Sequence, residues 1–524
     1  MLFFLTFGFY FVALLAVGIL HLLRRPFSYS WLAAALGALL AWGSIFAWQT
    51  GLPALVFENV WQPVGLFSVS PLLLADQVGW AYALALASLA LAVILAAPAQ
   101  STGVSPSAWI GTLGLTALAM LAFVSANPLT LVLVWMGLDL LELFNTLRLA
   151  RQPSLSERAV ISFGVRALGT GFALWASVTN GMALSTFGLL SPQAGLYFLL
   201  AVGLRLGVLP LHLTYRSEPA LRRGMGTVLR LAVASSSLVL LARIPAGLVL
   251  PGISPFLQAL LIMAILYGAW KWLAAPDELS GRPYWLIGMG ALSVLAALRG
   301  SPLGSAAWGV VLILFGGLAF LYSSRQRIFT LILSVFSLGL LSLPFTLTAT
   351  TWLGAAPVDW LFWPFAVAGQ VMLALGFVRH LWHTSESELA NLPRWAQSAY
   401  PLGLAILAGM IILLSLWGWP GVMQVGAWLV SLVVGSLFLI ALLVWWRISK
   451  YGAQTERIKL PDGVGEETRL ARGMEAFASG LWGLYRGLRR LVDFISGLLE
   501  GDGGLLWTVL VLVLLIIWFQ QISL

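Results

Sequence analysis

Residues 128–149 read PLTLVLVWMGLDLLELFNTLRL. The run is long enough to cross a bilayer, for which about 20 mostly apolar residues suffice. It nevertheless carries Asp139 near its middle and Glu142 three residues later. At helical pitch these two carboxylates lie on one face, a turn apart. An ionisable group at such depth costs several kcal/mol unless it is paired or hydrated, so each one is a candidate functional residue. The three spans that follow supply cations: Arg166, Arg205 near the middle of its run, and Arg230 toward the inner side. Two acids and three arginines therefore fall in four consecutive spans.

Composition sets the frame for that cluster. The chain has 524 residues, of which 60% are hydrophobic and only 9% charged, and its mean hydropathy is +0.96. A soluble domain carries roughly 25% charged residues, so this chain cannot cover a water-facing surface of ordinary size. A soluble enzyme and a nucleic-acid-binding protein are thereby excluded, and no nucleic-acid partner is expected. The absence of cysteine excludes disulfides, iron–sulfur clusters, thiolate zinc sites and covalently attached haem. No phosphate-binding glycine loop, nucleophile triad or nicotinamide fingerprint is present, so no cofactor, metal or catalytic residue is expected. His380 and His383, three apart, read as interfacial packing residues rather than as ligands. Many of the 25 tryptophans fall near span ends, as Trp31, Trp48, Trp109, Trp360 and Trp363 do, in the pattern of an aromatic belt.

The same ruler predicts about sixteen spans, beginning near Leu2, Trp31, Val78, Trp109, Pro128, Val160, Gly195, Met225, Pro255, Pro283, Ala306, Ile328, Trp360, Leu402, Val425 and Leu505. The first is followed, not preceded, by Arg24 and Arg25, which reads as a retained helix rather than a cleaved signal. When the loops are assigned alternately to the two sides, one side receives Arg24, Arg25, Arg148, Arg151, Arg158, Arg216, Arg222, Arg223, Lys271, Arg282, Arg325, Arg327, Arg394, Lys450, Arg457 and Lys459. The other receives little beyond Arg243 and Arg299. Positive charge marks the cytoplasmic side, so the expectation is a multi-pass protein of the inner (plasma) membrane with both termini outside. Residues 466–499 place apolar side chains at steps of three and four, with arginines between them. That pattern predicts an amphipathic helix on the cytoplasmic side, resting on lipid or bracing a neighbouring subunit.

Two prolines interrupt long apolar runs: Pro210 in the seventh and Pro344 in the twelfth. A proline removes a backbone donor and breaks the helix. Breaks at matching places in two halves predict inverted repeats of five helices each. The expected division is 1–105 (helices 1–3), 106–245 and 246–382 (the two repeats), 383–447 (helices 14–15), 448–502 (the lateral helix) and 503–524 (the last span). The fold class is all-α, polytopic. Charge is distributed unequally between the halves. From Pro283 to Val378 the only charged residues are Arg299, Arg325, Arg327 and Asp359, all at helix ends or in loops. The front cluster reads either as a charge network fixing helix packing or as a hydrated half-channel. A guanidinium holds its proton, so the arginines can tune a carboxylate but cannot relay.

These residues resemble the antiporter-like membrane subunits shared by respiratory complex I, membrane-bound hydrogenases and multisubunit cation/proton antiporters. Gly137-Leu138-Asp139-Leu140 is similar to the family's Gly-Leu-Glu-Leu, whose glutamate lies on the proton path. Arg205 precedes Pro210 by five residues and His212 by seven, where the family has lysine, proline and histidine. The core from about helix 1 to helix 14 fits the family's fourteen-helix pattern, and the tail looks like that of the family's largest member with a shorter lateral helix. The resemblance implies a proton path through Asp139, Arg205, His212 and Ser235, the last standing with Ser236 near a family lysine; the charge cluster adds Glu142, Arg166 and Arg230 to the expected path. The resemblance also implies losses: Leu312 replaces a histidine, Gly316 a central lysine, and Trp352 a charged residue.

Three functions are compatible with this reading. The first is a proton-translocation-related membrane subunit of a multisubunit energy-coupling complex, complex I-like or antiporter-like, with a degenerate path retained mainly in helices 5–8. In an NADH-quinone oxidoreductase-like assembly it would be at most a non-catalytic subunit, partnered by other membrane subunits partly through the lateral helix 466–499. The alternatives are a non-pumping structural scaffold and the membrane partner of an inorganic-carbon uptake system.

Overall fold

Long apolar runs become helices in lipid because every backbone polar group must be satisfied within its own segment. Sixteen α-helices occur among the described residues of the computed structural model, which are 2–58, 69–99, 106–149, 153–179, 187, 192–213, 221, 223–244, 252–323, 326–354, 358–382, 394–417, 419, 427–455, 487, 490, 494 and 502–523. They are α1 (Leu2–Leu22), α2 (Phe27–Trp48), α3 (Gln77–Ala96), α4 (Pro106–Phe123), α5 (Pro128–Leu149), α6 (Pro153–Thr179), α7 (Pro192–Leu206) and α8 (Arg223–Arg243). There follow α9 (Ser254–Ala274), α10 (Glu278–Leu298), α11 (Pro302–Leu321), α12 (Arg327–Phe336), α13 (Trp363–Leu381), α14 (Arg394–Leu416), α15 (Trp428–Thr455) and α16 (Asp502–Ser523). The chain is an all-α, multi-pass membrane protein, and its helices fall in the order of the expected spans.

Eleven of these helices are long and apolar enough to cross a bilayer: α1–α6, α8, α9, α11, α13 and α14. The others fall short for visible reasons. Breaks shorten α7 and α12 to 15 and 10 residues. Residues 278–284 open α10 with a polar stretch, and among the described residues α15 and α16 carry shorter apolar segments, Trp428–Val444 and Leu506–Ile517.

The breaks fall where the prolines stand. At the end of α7 the amides of Gly207 and Val208 turn back to Leu204 O and Gly203 O, and Gly207 takes φ 76°. Beyond α12 the chain tightens into a 3₁₀ turn at Ser337–Leu340, and Ser342 and Phe345 flanking Pro344 have φ of 56° and 62°. Other helix starts are capped. Asp76 accepts from Gly79 N at 2.7 Å ahead of α3, and Asp277 forms a capping box with Ser280 ahead of α10.

Helices α3, α8 and α11 are buried along almost their whole length. They pack on one another and on α4, α10 and α14. Helices α1, α2, α5, α6 and α12 instead turn one apolar face outward, with Phe11, Val12, Phe144, Trp175, Ile328 and Val335 all exposed. A bilayer accepts such faces. One element lies outside the all-α expectation: an antiparallel hairpin of β1 (Ala54–Glu58) and β2 (Leu72–Ala75). Leu74 N of β2 also donates to Val124 O, and Leu72 N to Thr130 Oγ1. The run 466–499 lies outside the described residues except for Gly487, Arg490 and Phe494, each helical and exposed. By internal packing the chain divides into a unit of Met1–Pro210 with Thr214–Gly435 and a unit of Leu211–Leu213 with Ser436–Leu524.

Candidate functional site

Helix α5 is amphipathic in reverse. Trp135, Asp139, Glu142 and Asn145 are buried, while Leu133, Met136, Leu140 and Phe144 are exposed. Helix α6 repeats the inversion, burying Ser162, Arg166, Thr170 and Ser177 and exposing Val160, Leu168, Trp175 and Val178. Lipid outside and polar partners inside account for both patterns.

Five of the expected residues form one connected ionic chain. Arg205 of α7 grips Asp139 with both terminal nitrogens, Nη1 to Oδ2 at 2.6 Å and Nη2 to Oδ1 at 2.9 Å. This bidentate geometry is the strongest form of the pair. Arg166 of α6 then bridges the two acids, its Nε lying 3.2 Å from Asp139 Oδ1 and its Nη2 2.7 Å from Glu142 Oε2. Arg230 of α8 closes the chain at Glu142 Oε1, 2.9 Å away. The order is Arg205, Asp139, Arg166, Glu142, Arg230, and every member is at most 4% exposed.

Neutral residues that the sequence reading did not single out hold Arg205 in place. Its Nε donates to Ser237 Oγ at 3.0 Å and its Nη1 to Thr170 Oγ1 at 2.9 Å. The guanidinium carbon lies 4.2 Å from the ring centroid of Trp135, whose own Nε1 donates to Ser236 O at 3.0 Å. The hydroxyl of Ser235 instead donates to Ala232 O of its own helix at 3.1 Å. In this structure the α8 serine that meets the network is thus Ser237. Trp135 and Thr170 each lie four residues from a charged partner on the same helix, at 139 and 166, which was the available signal. His212, two residues past Pro210, is buried.

The rear bundle contains polar side chains of another kind. Gln370 of α13 accepts from Trp352 Nε1 at 2.9 Å and donates to Leu340 O at 2.7 Å and Ser342 Oγ at 2.9 Å. Ser342 N donates to Thr348 Oγ1, Thr348 Oγ1 donates to Gly339 O, and Arg299 Nη2 reaches Trp352 O at 2.9 Å. These bonds satisfy the backbone that the α12 break releases. His380 is buried against the Trp272 ring with Nε2 2.8 Å from Trp272 O. His383 lies outside the described residues. Among the described residues no group of three or more His, Cys, Asp or Glu side chains forms a metal-binding cluster.

No protein-family profile and no curated protein matches the chain. Solved structures do. A chain of the Mrp complex from Dietzia sp. DQ12-45-1b superposes with a TM-score of 0.65 at 14% identity, covering 99% of this chain and 63% of that one. A chain of the membrane-bound sulfane sulfur reductase, an archaeal respiratory membrane complex, gives 0.61 at 15% identity over 83% of this chain and 97% of its own. A chain of respiratory complex I from Thermus thermophilus with bound NADH gives 0.61 at 18% identity, covering 82% and 99%. The fold is that of the antiporter-like membrane subunits. This chain spans under two thirds of the length of the Mrp chain it matches.

Within the antiporter-like fold, the position where the resemblance places a central lysine is sterically closed. A Cβ on Gly316 would lie 2.9 Å from Trp285 Nε1 and 3.3 Å from Leu231 Cδ2. The same indole nitrogen lies 3.3 Å from the carbonyl of Leu312, the other altered position, and donates to it. Trp285, itself fully buried, packs against Trp272 and Phe377. The space is occupied by an aromatic ring contributed by α10.

Proposed function

We propose that the chain is a proton-translocation-related membrane subunit of a multisubunit energy-coupling complex, with a degenerate proton path retained mainly in α5–α8. The ionic chain from Arg205 to Arg230 carries this reading. Burying five charged groups at mid-helix requires mutual compensation, and here the compensation runs continuously across four helices. The fold is shared with chains of complexes whose names include two respiratory ones. The path comprises Asp139, Glu142, Arg166, Arg205 and Arg230, with His212 and Ser235 as further members at the breaks and on α8. Partners are other membrane subunits, engaged partly through the lateral helix 466–499, and lipid. The setting is the inner (plasma) membrane, with both termini outside and the lateral helix cytoplasmic.

The two carboxylates play different parts. Asp139 meets a guanidinium that serine, threonine and tryptophan also hold, so protonating it would dismantle several bonds at once. It serves as an anchor that keeps Arg205 compensated. Glu142 receives single contacts from Arg166 and Arg230, and either arginine can withdraw without breaking a bidentate grip. Glu142 is therefore the carboxylate that exchanges a proton. Inverted five-helix repeats over 106–245 and 246–382 underlie this arrangement; the breaks after α7 and α12 support them, and the other domain divisions follow the helix order.

The saturation of Arg205 favours a second reading, a scaffold whose charges only fix packing. One experiment separates the two. The full chain is purified with whatever subunits accompany it, reconstituted in proteoliposomes, and proton uptake under a potassium diffusion potential is followed with an entrapped pH dye. Asp139→Asn and Glu142→Gln are expected to lower uptake while the subunits still co-purify. Uptake equal to the unaltered protein in both variants would establish the scaffold instead.

A further inference from the structure

A second buried ionic cluster lies outside the path described above. Arg223, at the start of α8, places Nη1 2.7 Å from Oε1 of Glu278 at the start of α10, and the same nitrogen donates to Phe320 O at 2.7 Å. Arg282, one turn after Glu278, lies over the Phe320 ring at 5.5 Å. Glu278 is 1% and Arg282 0% exposed. Arginines at a helix end ordinarily extend to the headgroups and keep their charge in water, and an acid beside them would do the same. These side chains turn inward.

They turn toward the ionic chain. Arg223, Gly226 and Arg230 recur at three and four residues, so they share one face of α8. Gly226 lets another charge cross that face: a Cβ there would lie 2.6 Å from Arg282 Nη1. Charged groups therefore follow α8 from Arg223, past Arg282 over Gly226, to Arg230, whose partner is Glu142. Two turns of helix, about 10 Å, separate the first arginine from the last. By the distribution of basic residues, Arg223 marks the cytoplasmic end.

We propose that Glu278 is the proton-exchanging carboxylate at the cytoplasmic mouth of this path, handing protons to Glu142. The proposal rests on the proton-path reading above. Hydronium from the cytoplasmic side gives its proton to a Glu278 oxygen, forming the O–H bond and leaving water. Glu278 then passes the proton through water to Glu142, which ends protonated as Glu278 returns to the carboxylate. Arg223 and Arg282 keep their protons throughout and act as positioning residues, Arg223 through its 2.7 Å contact with Glu278 Oε1.

The test uses the same proteoliposomes and an advantage of the sequence: the chain has no cysteine. Glu278→Cys is therefore a single-thiol protein, probed with a membrane-impermeant methanethiosulfonate from either side. The expected results are labelling from the cytoplasmic side only and a fall in proton uptake on the order of 100-fold in Glu278→Gln, the low end for a positioned acid–base group. Uptake should recover in part in Glu278→Asp. Wild-type uptake in Glu278→Gln beside a loss in Asp139→Asn overturns the proposal and leaves the path intact. Wild-type uptake in both Asp139→Asn and Glu142→Gln overturns the path itself. No labelling from the cytoplasmic side identifies Glu278 as a structural staple and overturns the proposal. Should Glu278→Gln fail to assemble, Glu278→Asp decides. A shifted dependence on cytoplasmic pH, with the outer dependence unchanged, supports the proposal, and an unchanged profile refutes it.

Discussion

The front bundle, α5–α8, and the rear bundle, α10–α13, satisfy buried polar groups in opposite ways. In front, charge meets charge in a chain from Arg205 to Arg230. Behind, Gln370, Ser342, Thr348 and Trp352 meet each other and freed backbone, and Trp285 fills the space beside Gly316. The physics differs accordingly. A neutral cluster can lose one bond and remain tolerable, because each bond contributes only about 1 kcal/mol net. An ionic chain that loses one member leaves an uncompensated charge in a low-dielectric interior. The ionic chain in front is therefore the more sensitive of the two networks.

The largest test of that contrast is Asp139→Ala. Stripping both Arg205 and Arg166 of their shared partner should cost about 3–5 kcal/mol, read as a lowered thermal midpoint of the detergent-solubilised chain with its subunits. A smaller loss than that of any rear variant would break the comparison. Next comes Gly316→Lys. Its charge at depth should cost about 3 kcal/mol, and the clash with Trp285 should add to it. In a Trp285→Ala background the lysine should be better tolerated, giving a double-mutant loss smaller than the sum of the singles. Additive losses would mean that the tryptophan does not close the site.

In the rear, Gln370→Leu leaves Trp352 Nε1 and Leu340 O without their partner and should cost about 2 kcal/mol, measured by the same midpoint. A smaller effect is expected of Ser237→Ala, about 1.5 kcal/mol for one bond to a charged group. Arg205 keeps Asp139 and Thr170 in that variant. The same change at Ser235, bonded only to its own helix turn in this structure, should leave the midpoint nearly unmoved, and equal losses at the two serines would merge their roles.

Much of this molecule could be read before any coordinates. Apolar run length and the placement of basic residues set the helices and their order, because lipid allows few ways to satisfy a backbone and strongly disfavours buried charge. The scarcity of such charge made Asp139, Glu142, Arg166, Arg205 and Arg230 visible as a group, and Pro210 and Pro344 marked the breaks. Partnership was not legible. Ser237 rather than Ser235, the ring of Trp135, and the inward turn of Glu278 and Arg282 depend on how helices far apart in the chain face one another. The hairpin at Ala54–Glu58 and Leu72–Ala75 escaped notice because no residue periodicity distinguishes it from a loop. Trp285 filling the space at Gly316 is the sharpest case. The sequence displays the missing lysine, but a void and a plugged site look alike until α10 is packed against α11. Local spacing follows from covalent pitch, whereas occupancy of space follows from packing, which only the assembled bundle specifies.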